Sequence, residues 1–151
     1  MSETGTRRTR IILGVVGHDI HVVANRILAI ALAENGYEVY NLGTNNKITD
    51  FVDAVMEWGA DAALVGSLNG EGQYWCRGTR AAFEARHLGD TLLYAGGMLT
   101  LGDATPAEVE RIYKSFGFDR VFHRPTSFAP VLDALAVDLS EASAARPKIT
   151  I

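Results

Sequence analysis

Ile11-Ile12-Leu13-Gly14-Val15-Val16 runs apolar without alternation and passes straight into Gly17-His18-Asp19. A strand with one wet face alternates apolar and polar residues, so an unbroken apolar run of this length reads as a strand covered on both sides. Ala62-Ala63-Leu64-Val65 repeats the pattern further along the chain. Longer segments of helical period separate such runs. The reading places strands at Arg10–Val16, Glu38–Leu42, Ala62–Val65, Leu92–Ala95 and Arg120–Phe122. Helices are expected at about Val22–Asn35, Ile48–Trp58, Cys76–Arg86, Pro106–Phe116 and Phe128–Leu139, with Gly36, Gly59, Gly89 and Gly117 placed to stop them. Five βα repeats predict an α/β fold of the flavodoxin-like (Rossmann-like), doubly wound kind around a five-stranded parallel sheet. In such sheets a ligand lies beyond the carboxyl ends of the strands, near the topological switch point.

The 151 residues suit one domain. A chain of this size buries roughly 70% of its unfolded surface, enough for one core without disulfides or structural metal. The single cysteine, Cys76, has no partner within the chain, which fits a reducing, cytoplasmic setting, and nothing has the spacing of a zinc site. No apolar run reaches the roughly 18 residues of a membrane span. A net charge of −4 gives no electrostatic reason to expect nucleic acid. Arg7, Arg8 and Arg10 are not expected to open a twin-arginine or secretory signal, because the run Ile11 to Val16 is too short and no small-residue cleavage site follows. Residues 1–9 are expected to form a disordered basic tail, 10–139 the domain, and 140–151 a flexible C-terminal tail.

Three segments converge on the carboxyl edge of the expected sheet. Gly17-His18-Asp19-Ile20-His21-Val22-Val23-Ala24-Asn25 follows strand one, Gly66-Ser67-Leu68-Asn69-Gly70-Glu71-Gly72 follows strand three, and Gly96-Gly97-Met98-Leu99-Thr100-Leu101-Gly102 follows strand four. Glycine at a ligand edge lets something bulky approach the backbone, although turn-making alone also uses it. A flavin mononucleotide site needs hydroxyl groups in the first loop, where this chain has histidines and an aspartate. A phospho-accepting receiver needs an aspartate ending strand three and a lysine ending strand five, where this chain has Gly66-Ser67 and His123-Arg124. The Asp19-x-His21 pair remains. A metal-ligating imidazole commonly gives its other N–H to a carboxylate. One histidine cannot hold a free ion against water, but it can ligate a metal already chelated in a macrocycle such as a corrin. A merely solvated loop histidine is the plain alternative.

From about Ile11 to Asp133 the sequence resembles the small, cobalamin-binding subunits of glutamate (methylaspartate) mutases. The family pattern is Asp-x-His-x-x-Gly after strand one, Ser-x-Leu after strand three and Gly-Gly after strand four. Here these appear as Asp19-Ile20-His21-Val22-Val23-Ala24, Gly66-Ser67-Leu68 and Gly96-Gly97. Leu13-Gly14-Val15-Val16-Gly17, Asn69-Gly70-Glu71-Gly72, Cys76-Arg77-Gly78 and Phe116-Gly117-Phe118-Asp119-Arg120-Val121 add to the likeness. The resemblance implies that adenosylcobalamin binds with His21 as lower axial ligand to cobalt, replacing the dimethylbenzimidazole base, and with Asp19 supporting His21. It implies a freed nucleotide tail beside the sheet, along Gly66, Ser67, Leu68 and the turn Gly96, Gly97, Met98, Leu99, Thr100, Leu101, Gly102. His18, Ile20, Val22 and Ala24 would border the cofactor. It further implies an adenosyl-radical interconversion of L-glutamate and (2S,3S)-3-methylaspartate, completed by a large, barrel-type catalytic subunit that holds the substrate.

Two positions depart from the family pattern. Ala24 replaces a glycine and Gly66 replaces a serine, and the expectation is somewhat weaker cobalamin binding or a less polarised His21. Ser67 substitutes poorly for the missing hydroxyl, because neighbours on a strand face opposite sides. Tyr74 and Trp75 either dock a partner or complete the core; His87 reads as surface, and Cys76 as an inert buried thiol. His123-Arg124-Pro125 either touches a partner or the nucleotide tail, or simply turns the chain into the last helix. Two other functions fit the same residues. One is a corrinoid carrier for methyl transfer, usually preceded by a helical bundle; the other is a regulatory or degenerate cobalamin-binding module.

Overall fold

The structure is a computed structural model that describes residues 7–17, 23–67, 70–100 and 102–145. Five strands, β1 (Arg10–Val15), β2 (Glu38–Asn41), β3 (Ala62–Ser67), β4 (Leu92–Gly97) and β5 (Arg120–His123), pair in parallel in the order β2-β1-β3-β4-β5. The helices are α1 (Val23–Glu34), α2 (Ile48–Trp58), α3 (Gly72–Trp75), α4 (Thr79–Glu84), α5 (Pro106–Ser115) and α6 (Ala129–Ala145). The order reverses direction between β1 and β3, which is the switch point expected of a doubly wound sheet.

Alternation along fully buried strands divides the core in two. Ile11, Leu13, Ala62, Leu64 and Tyr94 pack with Leu32 of α1 and with Val131 and Leu135 of α6. Ile12, Ala63, Val65, Leu93 and Ala95 face the other way, onto Phe51 and Val55 of α2, Phe83 of α4 and Tyr113 of α5. Helix ends follow local chemistry. Thr105 Oγ1 accepts the Glu108 N–H at 3.2 Å, Glu108 accepts the Thr105 N–H at 3.2 Å, and Pro106 occupies the first turn of α5. α2 stops at Gly59, whose φ of 67° only glycine adopts without strain, and its N–H closes on the Val55 carbonyl.

Two helices differ from the sequence expectation. The helix expected over Cys76–Arg86 is shorter, α4 covering only Thr79–Glu84, because Gly78 turns left-handed (φ 71°) just before it begins; the short α3 lies wholly before the expected range. The Gly89 expected to cap it does not; the left-handed residue after α4 is His87 (φ 60°), and Leu88 N–H reaches back to the Phe83 carbonyl at 2.8 Å. The last helix runs to Ala145 rather than Leu139, so residues 140–145 are helix and not tail. Ser140-Glu141-Ala142-Ser143-Ala144-Ala145 contains good helix formers and no breaker before Pro147. At the other end, Arg7 donates to both carboxylate oxygens of Asp61, at 3.0 and 3.1 Å. Among the described residues no helix is long and apolar enough to cross a membrane.

Candidate functional site

The sheet builds the floor of the site. Register aligns Val15 with Gly66, Gly66 with Gly96 and Gly96 with Phe122, all toward the α1/α6 face. One step below, Leu13, Leu64 and Tyr94 stand in line. Two adjacent glycines therefore leave the middle of the upper row bare. Above them opens a cavity of about 410 Å³, walled by Ala24, Asn25 and Leu28 of α1 and by Phe128 and Val131 at α6, with Met98, Arg124 and Pro125 beside it. That is the size and apolar character of a small-ligand site.

The fold itself does not require these two glycines. A Cβ on Gly66 would come no closer than 3.5 Å, to the Gly14 carbonyl, and one on Gly96 no closer than 3.6 Å, to the Phe122 carbonyl. These are ordinary contacts, and neither residue has a left-handed backbone. Gly17 is different: at φ 78°, its Cβ would lie 2.6 Å from Nε1 of Trp75. The bare floor is thus a cradle that side chains would fill, and it fits a ligand with a flat or narrow apolar part.

Polar groups are few in this cavity. Asn25 is 7% exposed; its Oδ1 accepts from Asn41 Nδ2 at 2.6 Å, and its own Nδ2 makes no hydrogen bond among the described residues. Arg124 is the single charged residue among the described lining. His123, at the end of β5, accepts the Leu99 N–H on Nδ1 at 3.2 Å, which ties the loop after β4 to the edge of the sheet. Burial and then the Arg124 charge lower the His123 pKa, against a smaller opposing effect of the Gly97 backbone, and the lowering favours the neutral form of the ring that can accept.

Of the residues expected at the site, the structure brings Ala24, Gly66, Gly96, Gly97 and Met98 together on the cavity. Ser67 lies on the opposite face, 1% exposed and packed against Gly72, and its hydroxyl has no partner among the described residues. Leu99 is buried in that opposite core and Thr100 is also buried, so neither lines the cavity, and Gly102 is exposed. His18, Asp19, Ile20, His21, Val22, Leu68 and Leu101 lie outside the described residues. The sequence reading did not single out Asn25, Tyr94, Phe122, Phe128 and Val131. Strand alternation carried the signal for Tyr94 and Phe122, which share a face with Gly96.

The neighbouring aromatics separate. Trp75 donates its indole N–H to Glu71 at 3.3 Å and packs over Gly17, whereas Tyr74 is 72% exposed. Cys76 is buried, and burial pushes its thiol up to about 12. His87 is exposed, as expected.

Residues 9–123 match the family model of the B12 binding domain, so fold and site together define a cobalamin-binding domain. The glutamate mutase sigma subunit of Carboxydothermus hydrogenoformans is 43% identical over 133 residues, covering 88% of this chain and 97% of that protein. The chain belongs to the glutamate mutase sigma-subunit family of B12-binding domains. Among solved structures, a cobalamin-binding protein from Desulfitobacterium hafniense superposes with a TM-score of 0.69 at 22% identity, over 86% of this chain and 58% of that one. The monomethylamine corrinoid protein of Methanosarcina barkeri gives 0.62 at 18% identity, over 87% and 57%. At such identities the likeness is one of fold, and this chain spans under three fifths of each of those two.

Proposed function

We propose that this chain is the cobalamin-carrying subunit of a glutamate mutase, interconverting L-glutamate and (2S,3S)-3-methylaspartate with a large, barrel-type catalytic subunit. The observation that carries the reading is the bare Gly66–Gly96 floor of an apolar cavity at the switch point, in a chain 43% identical to a glutamate mutase sigma subunit. Bound adenosylcobalamin supplies radical chemistry through homolysis of its cobalt–carbon bond. The chain's own residues hold and orient. His21 would hold the cobalt, and Asp19 would accept the other N–H of its ring. Gly66, Gly96 and Gly97 let the nucleotide tail lie against the backbone, while Leu28, Phe128 and Val131 keep water from its aromatic base. His18, Ile20, Val22, Leu68 and the turn from Met98 to Gly102 are proposed to border the cofactor around this core.

Titration of the purified protein with adenosylcobalamin tests the reading. The expected result is an absorption spectrum in which benzimidazole has left cobalt. An unchanged spectrum, or one with the base still coordinated, overturns it. Reconstitution with a large mutase subunit should then restore glutamate–methylaspartate interconversion; a methyl-transfer carrier or a regulatory module would show the binding without that activity.

A further inference from the structure

The cavity described above is apolar, but a cobalamin nucleotide tail is not: its base hangs on a ribose and a phosphodiester that keeps a full negative charge at neutral pH. The protein as a whole does not attract that charge, since its own net charge is −4. A local cation where the tail crosses from the apolar cavity to water would offset that repulsion.

Arg124 stands at that boundary. It lines the cavity at the carboxyl end of the sheet, is exposed, and is the single charged residue among the described lining. Its backbone is left-handed (φ 51°), a conformation that costs a non-glycine residue free energy and that recurs where a side chain must be aimed. The Arg124 N–H donates to the Gly97 carbonyl at 2.8 Å, fixing this backbone over the end of β4, beside the bare floor. The guanidinium makes no ion pair with a carboxylate among the described residues. Among the described residues its one side-chain partner is the weakly accepting thioether of Met98, 3.2 Å from Nε. Several other arginines are paired with carboxylates, among them Arg80 with Asp119 and Arg120 with Asp138. A planar donor fork of this kind, held beside a ligand cavity and left without an anion, suits phosphate oxygens.

We infer that Arg124 is a positioning and specificity residue that binds the phosphodiester of the nucleotide tail and so distinguishes complete cobalamins from corrinoids that lack the nucleotide. The inference rests on the cobalamin-binding reading given above. Arg124 holds the tail at its charged hinge while the base enters the cavity, and it takes no part in bond making or breaking.

Equilibrium titrations with adenosylcobalamin and with adenosylcobinamide, which has the same corrin and upper ligand but no nucleotide, test this directly. In Arg124→Gln the dissociation constant for adenosylcobalamin should rise about tenfold at low ionic strength, the scale of one charge-assisted contact at a wet rim. Binding of adenosylcobinamide should not change. Arg124→Lys should recover part of the loss, and the gap between parent and Arg124→Gln should narrow as salt rises from about 0.01 to 0.3 M. Equal losses for both ligands would mean that the substitution only disturbs the rim, and an unchanged affinity for adenosylcobalamin would mean that the guanidinium does not meet the tail; either result overturns the inference. If the parent binds adenosylcobalamin with benzimidazole displaced, such a result leaves the cobalamin reading intact. If the parent does not bind that way, the reading and the inference fall together.

Discussion

Ala24 puts a methyl group on the cavity wall in the first turn of α1, where the family pattern has glycine. Ala24→Gly should therefore tighten adenosylcobalamin binding while lowering stability by up to about 1 kcal/mol, because glycine is the poorer helix former. Paired titration and thermal melting check both signs, and unaltered affinity would show that the methyl is not in the way. Gly96→Val should act on affinity alone. A Cβ there makes only ordinary contacts and the branched side chain beyond it would enter the cavity, so the melting temperature should hold while affinity falls at least about tenfold. That Gly66 and Gly96 reach the same edge of the sheet was legible in the sequence; their shared face follows from strand period. Ser67 shows where a motif and a strand part company. A motif groups residues that are adjacent in the chain, whereas a strand sends neighbours to opposite sides, and the Ser67 hydroxyl is buried away from the cavity.

At the scale of elements, the break between α3 and α4 frees Arg80 to act as a brace. Its guanidinium donates to the carbonyls of Gly89, Thr91 and Gly117 at 2.8 to 3.0 Å and to Asp119 at 2.9 Å. These groups belong to the turns entering β4 and β5, so one side chain sets the start of two neighbouring strands, of which β4 carries the Gly96 half of the floor. Gly117 makes the approach possible, since a Cβ there would lie 2.0 Å from the Arg80 Cβ. Arg80→Met keeps the stem but strands three carbonyls and a carboxylate, and a loss of about 2–4 kcal/mol is expected in denaturant unfolding. The sequence did not disclose this brace. Cys76-Arg77-Gly78-Thr79-Arg80 carries on a helical period, and nothing in that pattern marks Gly78 as the left-handed residue. The strands were more legible than the helix ends, because double-sided burial leaves a longer apolar trace than a cap does. The extension of α6 to Ala145 was missed because small residues serve tails and helices alike.

Across the whole molecule, α6 is pinned to the sheet by Asp138, which accepts two hydrogen bonds from Arg120 at 2.7 Å and one from the Tyr94 phenol. The Arg120 bonds, with Tyr94 adding and burial opposing, hold the Asp138 carboxyl below its ordinary range. A carboxyl depressed in the folded state contributes stability that is complete above its unfolded value near pH 4 and lost as pH falls through the folded value. Asp138→Asn should thus be about 1–2 kcal/mol less stable than the parent at pH 7, with the gap closing below about pH 4 in acid unfolding curves. Cys76 reports on the opposite core. With its thiol buried and pushed up to about 12, it should resist a thiol reagent at neutral pH and react only as fast as the fold opens. Rapid labelling of the native protein would contradict that burial.

The two-sided core described above also acts as insulation. Ligand-facing residues and the α2/α5 core are separated by a sheet whose central strands β1, β3 and β4 are buried on both faces, so a substitution on one side meets few partners on the other. Free-energy changes from the two sides should be close to additive, as for distant independent sites. A cavity-side change such as Gly96→Val can then be combined with a repaired or strengthened far side without the two effects interfering. Affinity and durability in this protein are separately adjustable, and the sheet is the partition between them.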